Sequence, residues 1–338
     1  MSVHSFGEMP DGSAVERISI SAGGLSADVL TYGSVLQDLR LAGHAPSLVL
    51  GFDTLDHYLK YSPYFGATAG RCANRIRDGH LALDGVDYQL DRNFLKRHHL
   101  HGGAAGIGKR LWQIEAVDSD LVSLSIQLAD GEMGYPGNMN IKLTYRLLAE
   151  GILDISFAAT TDKLTLCNLA HHSYFNLTGG ESILDHRLRI AADSYTPVDD
   201  ELIPTGELQS VAGSIFDFRE FSELGPITQK QGIDHNFCLS DQRQALRPVA
   251  CLESPNSNVS LEVRSTEPGL QVYDGARIAP PVPGLDGLNM GAHAGIALEP
   301  QVWPDAIHHG HFPQATLRPD EVYRQHTQYV FSHKNEGL

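Results

Sequence analysis

The chain has 338 residues, 42% hydrophobic and 20% charged, which allows a sizeable core and is too little charge for a largely disordered protein. A formal net charge of −16 argues against a nucleic-acid partner, which requires a basic face. It also disfavours strongly anionic substrates, unless a local arginine cluster overrides the global field.

The start, "MSVHSFGEMPDGS", has neither a basic opening nor an apolar run, so no signal peptide is expected. No window reaches the length of a membrane span, and a soluble, cytoplasmic protein is expected. Cys72, Cys167, Cys238 and Cys251 lie without any Cys-x-x-Cys spacing and read as reduced, mostly buried thiols.

Period-2 alternation begins with "LSADVLTY" (25–32), a strand with one apolar face. "TLDHYLKY" (54–61) is a short helix candidate behind an Asp53 or Thr54 cap, and little else reads as helix. "AGRCANRIRDG" (69–79) interrupts the apolar pattern with Arg71, Asn74 and Arg75. "HLALDGVDYQL" (80–90) predicts a hairpin turning at Asp84-Gly85. "HHLHGG" (98–103) runs three histidines into two glycines that let the backbone bend tightly. Strands are expected at "VSLSIQL" (122–128), "IKLTYRL" (141–147) and "LDISFAA" (153–159), with turn chemistry at "DGEMGYPGN" (130–138). The tail "NEGL" is expected to fray. The pattern as a whole predicts a single, mainly antiparallel β domain over 1–338, built as a sandwich of two sheets.

In "HHSYFNL" (171–177), strand alternation puts His172, Tyr174 and Asn176 on one face, and Ser173, Phe175 and Leu177 on the other. A row of His, Tyr and Asn suits the wall of a pocket for a polyhydroxylated ligand. "GIDHNF" adds Asp234 and "EPGLQVYDG" adds Gln271. In "GIALEPQVWPDAIHH" (295–309) a buried-strand run ends on Glu299, with Gln301 on the same side. Pro300 removes a ladder donor, so this strand end is not expected to continue as a central strand. A carboxylate at the apolar end of a strand is partly desolvated, which suits it to act as a base near neutral pH. The alternative is an ordinary ion pair of Glu299 with an arginine such as Arg75. Histidine pairs at 98–99, 171–172 and 308–309 raise the question of a metal. Neighbouring histidines on a strand point to opposite faces, however, and no His-x-x-x-His or His-Glu-x-x-His pattern occurs, so no metal is expected.

The segments "GRCANRI", "LHGG", "DGEMGYPG", "HSYFNL", "DHNFCL", "EPGLQVY" and "ALEPQVWPDA", in that order, resemble the aldose 1-epimerase (galactose mutarotase) family from about residue 30 to 331. The resemblance implies a large β-sandwich of the galactose mutarotase-like type, with an open cleft for a monosaccharide. It implies exchange of α and β anomers of an aldose without a cofactor. The family's base falls on Glu299, its acid on His172 and the histidine of "LHGG" on His101. Sugar-binding positions fall on Asn74, Arg75, Asp234 and Gln271. On this reading a Glu299 carboxylate takes the C1 hydroxyl proton while a His172 imidazolium protonates the ring oxygen, and closure reverses both transfers. His101 and Arg75 hold developing charge.

Two departures, the longer and more basic "NFLKRHH" before "LHGG" and His171 before His172, are expected beside the pocket, where they bear on substrate preference. Three rival functions remain at this stage. A glycoside hydrolase could pair Asp234 with Glu299. A non-catalytic sugar-binding module needs the cleft without the base. A sugar-phosphate mutarotase needs further cations, for which Arg71, Arg77, Lys96 and Arg97 are candidates. The expected partner is a monosaccharide, with no nucleic acid and no membrane, and the expected assembly is a monomer or homodimer.

Overall fold

The computed structural model describes residues 1–62 and 64–333, so the "NEGL" tail lies outside the described residues. Three antiparallel sheets dominate. The largest has nine strands, with Met139–Leu148, Ile152–Thr161 and Tyr323–His333 near its centre and Gln113–Val117 and Ser222–Glu223 at its edges. A second sheet has six strands in the order Tyr174–Phe175, Ile296–Gln301, Gly269–Tyr273, Asp234–Cys238, Ser194–Thr196, Gln209–Ser210. The four-stranded sheet near the N-terminus, which includes Leu25–Leu30, is additional to the two expected.

The four alternating segments all form strands, Leu25–Leu30, Leu121–Leu128, Met139–Leu148 and Ile152–Thr161. His80–Leu83 and Val86–Gln89 pair as the expected hairpin, and Asp84 and Gly85 supply the positive φ values its tight turn needs. The helix Leu55–Tyr61 is capped by Thr54, whose hydroxyl accepts from the His57 N–H, and it buries Leu55 and Tyr58. A second helix, Leu224–Lys230, escaped the sequence reading because its Gly225-Pro226 looks like a turn. No helix among the described residues is long and apolar enough to cross a membrane.

The nine- and six-stranded sheets share one apolar core. Leu143, Phe157, Leu261 and Tyr329 from the first meet Phe175, Phe237, Leu270, Val272 and Leu298 from the second. This packing decides where the site can be. Alternation points Leu270 and Val272 into the core and leaves Gln271 and Tyr273 on the opposite side of the sheet. The same rule leaves Glu299 opposite Leu298, and Asp234 and Asn236 opposite Phe237. Asn236, Gln271 and Glu299 are direct cross-strand partners, so the register aligns three polar side chains in one row.

The strand bearing Glu299 runs on through Pro300 to Gln301, a departure from the expected stop. Tyr174–Phe175 pairs with it only at Ala297 and Ile296, so at Pro300 the ladder is one-sided and tolerates the missing donor.

Candidate active site

The outer side of the six-stranded sheet forms the floor of a cavity of about 180 Å³. Its walls come from the segments around Asn74 and His101. Arg75–Ile76 pairs with His99–Leu100, and the two adjoining residues clasp each other. The His101 N–H donates to the Asn74 carbonyl at 3.0 Å, and the Asn74 N–H donates to His101 Nδ1 at 3.2 Å. Both residues have positive φ, 63° and 50°. Gly102 follows because a Cβ there would lie 1.7 Å from the Gly70 carbonyl oxygen.

All seven residues proposed for the site line this one cavity: Asn74, Arg75, His101, His172, Asp234, Gln271 and Glu299. Arg75 Nη2 meets Asp234 Oδ2 at 3.0 Å, and Gln271 Nε2 donates to Asp234 Oδ1 at 2.6 Å. Glu299 is therefore not the partner of Arg75. Its Oε1 lies 3.5 Å from His172 Nε2, while its Oε2 and the His172 Nδ1 have no hydrogen-bond partner. Burial, reinforced by the Asp234 charge and opposed by Arg75, holds the Glu299 carboxyl well above the usual carboxylate range. Burial pushes His172 down to about 4. Burial and the neighbouring His172 and Arg75 charges hold His101 well below the usual histidine value. With Nδ1 accepting from the Asn74 N–H, a neutral His101 carries its proton on Nε2 and is a donor. Burial thus disfavours the charged form of both groups in the free site.

Other expectations change. Asn176 does not share the cavity wall with His172 and Tyr174, because the strand ends at Phe175. Its side chain instead accepts from the Thr178 and Gly179 N–H groups and donates to the Gly180 and Ala294 carbonyls, which anchors the turn. His171 is not beside the pocket. It points the other way, between the Tyr145 hydroxyl at 3.2 Å and the Ser173 hydroxyl at 2.7 Å. Of "NFLKRHH", Phe94 lines the cavity beneath the Arg75 guanidinium, 4.9 Å from its ring centroid. His98 and His99 do not line it: His98 accepts from the Asp78 N–H, and His99 bridges the Asp91 carbonyl and the Tyr135 hydroxyl.

The cations considered for a phosphate are used elsewhere or point elsewhere. Arg71 donates to the Pro136, Gly137 and Ala129 carbonyls, Arg77 to Pro204, and Arg97 to Asp78 and Glu201, while Lys96 does not line the cavity. Among the described residues no group of three or more His, Cys, Asp or Glu side chains is placed to hold a metal. The four cysteines are free thiols, with Cys72 and Cys167 buried and Cys238 and Cys251 half-buried.

Tyr64, Leu100, Tyr174, Tyr273 and Arg277 complete the lining. Tyr64 matters most among these. Its ring centroid lies 4.7 Å from that of His101 and 5.7 Å from that of His172, stacked on the latter at 22°. The Lys109 ammonium sits 5.5 Å from the same Tyr64 ring. A larger groove of about 590 Å³ crosses the outer face of the nine-stranded sheet near Lys142, Arg243 and Arg324. Its acid–base pair, Asp154 and His326, is closed by a 2.6 Å hydrogen bond that favours the charged form of each, whereas Glu299 and His172 are left open to a ligand, and the smaller cavity is the better candidate on chemistry.

The family model described as aldose 1-epimerase matches residues 16–330. The chain is 41% identical over 336 residues to the galactose mutarotase of Bos taurus, covering 97% of each. It is 35% identical over 312 residues to the aldose 1-epimerase of Haemophilus influenzae, covering 89% of this chain and 90% of that one. Among solved structures, an aldose epimerase homologue from C. elegans superposes with a TM-score of 0.88 at 32% identity, covering 95% of this chain and 100% of that one.

Proposed function

The chain belongs to the aldose 1-epimerase family, and from that premise we propose that it interconverts the α and β anomers of a free hexose of the galactose or glucose type. The observation that carries the proposal is the 3.5 Å approach of His172 Nε2 to Glu299 Oε1 inside a cavity the size of one sugar ring. The separation is too long for a hydrogen bond and leaves both polar atoms available to a substrate.

Opening a pyranose requires a proton to leave the C1 hydroxyl and another to reach the ring oxygen. The free pair carries one proton, held on Glu299 by burial. In the tautomer that opens the ring, Glu299 is the base and His172 the acid. The proton delivered from His172 and the one taken by Glu299 then leave the pair in its neutral form while the aldehyde is bound. Rotation about C1–C2 and closure run the transfers backwards, so both groups are restored without an external proton. Each group contributes roughly 10²–10⁴-fold. Neutral His101 donates from Nε2 to the oxygen that gains charge, and Asp234, oriented by Arg75 and Gln271, accepts from sugar hydroxyls. Asn74 lines the same cavity, with its side-chain oxygen accepting from the Arg75 N–H.

The desolvated pair favours a catalyst over a non-catalytic sugar-binding module, because burying such groups is costly. The Arg75 and Gln271 bonds to Asp234 favour an acceptor role over that of a second hydrolytic carboxylate. The chemistry needs no cofactor. We further propose that the whole chain acts as one mutarotase unit in the cytoplasm, as a monomer or homodimer. Polarimetry on freshly dissolved α-D-galactose and α-D-glucose tests the function: the approach to anomeric equilibrium should be much faster than in buffer. A rate equal to that of buffer for both sugars removes the proposal.

A further inference from the structure

We infer that the same pocket accepts aldoses carrying a carboxylate in place of the terminal hydroxymethyl group, the hexuronates, and that Arg277 is the residue that recognises this carboxylate. The inference rests on the mutarotase assignment above, and the chemistry at C1 is unchanged.

Arg277 lines the cavity from the loop after the Gly269–Tyr273 strand. Its backbone N–H donates to the Tyr273 hydroxyl at 2.8 Å, which ties the loop to a residue of the cavity wall. Among the described residues no carboxylate pairs with its guanidinium. Unlike the buried Arg75, Arg277 is exposed to solvent at the cavity. The other charges of the pocket cancel or are suppressed. Arg75 and Asp234 neutralise each other, and burial favours uncharged Glu299, His172 and His101. Arg277 is thus the cavity-lining cation left without an ion pair among the described residues, although the Asp234 and Asp274 carboxylates also act on the neighbouring Tyr273.

Size selects among anions. The cavity of about 180 Å³ suits a single ring. Replacing the hydroxymethyl by a carboxylate adds one oxygen, whereas a phosphate ester adds phosphorus and its oxygens. The guanidinium fork also matches a carboxylate in a two-point contact. Tyr273, whose hydroxyl accepts from the Arg277 N–H, pairs with Ala297, two positions along the ladder from the Gln271–Glu299 pair.

The test is polarimetry on α-D-galacturonate, α-D-galactose and glucose 6-phosphate, with the wild type, R277Q and R277K. The wild type should accelerate galacturonate and act poorly on the phosphate. In R277Q the ratio of kcat/KM for galacturonate to that for galactose should fall by about tenfold or more, mostly through KM, and R277K should recover part of it. Active turnover of galactose with no acceleration of galacturonate overturns the inference and leaves the mutarotase assignment standing. So does a ratio unaltered in R277Q. Failure on both sugars overturns the two together, and a phosphate preferred over galacturonate replaces the hexuronate with a phosphorylated aldose.

Discussion

His172 Nε2 faces Glu299 Oε1 across 3.5 Å, and neither the other carboxylate oxygen nor the other ring nitrogen has a hydrogen-bond partner. A buried acid and base left open toward each other are poorly stabilised by the protein itself and are free to serve a ligand. Removing only the basic oxygen tests this directly. In Glu299→Gln, kcat should fall roughly 10²-fold or more while sugar affinity, read by calorimetry, changes little. A mutant with full mutarotation activity removes Glu299 from the mechanism.

The pH profile should be a bell whose limbs are the reverse of the usual attribution. The competent pair holds one proton. On the acid side a second proton enters at His172, near the value of about 4 to which burial has pushed it. On the alkaline side the pair loses its only proton from Glu299, whose carboxyl burial has raised well above the ordinary range. These are properties of the coupled pair. An acid limb near 6.5 would show His172 in its ordinary solvated state.

Stability should carry the same signature. A carboxyl with a raised folded-state pKa binds its proton more tightly folded than unfolded, so its contribution is fully present below the unfolded value. It is lost as pH rises through the folded value. Glu299→Gln removes that loss. Thermal melts should therefore show the mutant gaining on the wild type as pH rises from about 4 toward neutrality and above. A Tm difference independent of pH contradicts a neutral, buried Glu299.

Tyr64 should act through the imidazoles it covers. Tyr64→Phe keeps the stack on His101 and His172 and should retain activity within a few-fold. Tyr64→Ala admits water to both rings, which relieves the burial that depresses His172, so the acid limb should move upward from about 4 while kcat falls. An unchanged acid limb in Tyr64→Ala assigns the depression to other neighbours.

The site was legible where local rules act and illegible where distant segments meet. Alternation alone separates Glu299 from Leu298, and Gln271 from Leu270 and Val272, which gives the polar side of the sheet. The same rule correctly sends His171 and His172 to opposite faces. It fails at Asn176, because alternation holds only while the strand lasts and this one ends at Phe175. Tyr64 carries no local signal, since its partners His101 and His172 come from remote turns and strands. Pro300 misleads for a different reason: a proline bars a ladder only on the side that needs its N–H, and there the neighbouring strand has already stopped.

The row Asn236–Gln271–Glu299 exists because three strands share one register. A side-chain period of two makes that arrangement intolerant of odd-numbered changes in chain length. One residue inserted in the Ile296–Gln301 strand ahead of Glu299 would swing its carboxylate toward Phe175 and Tyr329 and expel Leu298 from the core. The turn at 255–258, which joins two strands of the nine-stranded sheet, can lengthen without reaching either cavity or core. Libraries of single-residue insertions should therefore divide sharply, with active clones recovered at 255–258 and none within Ile296–Gln301. In this molecule the count of residues along a strand is as much a part of the active site as their identity.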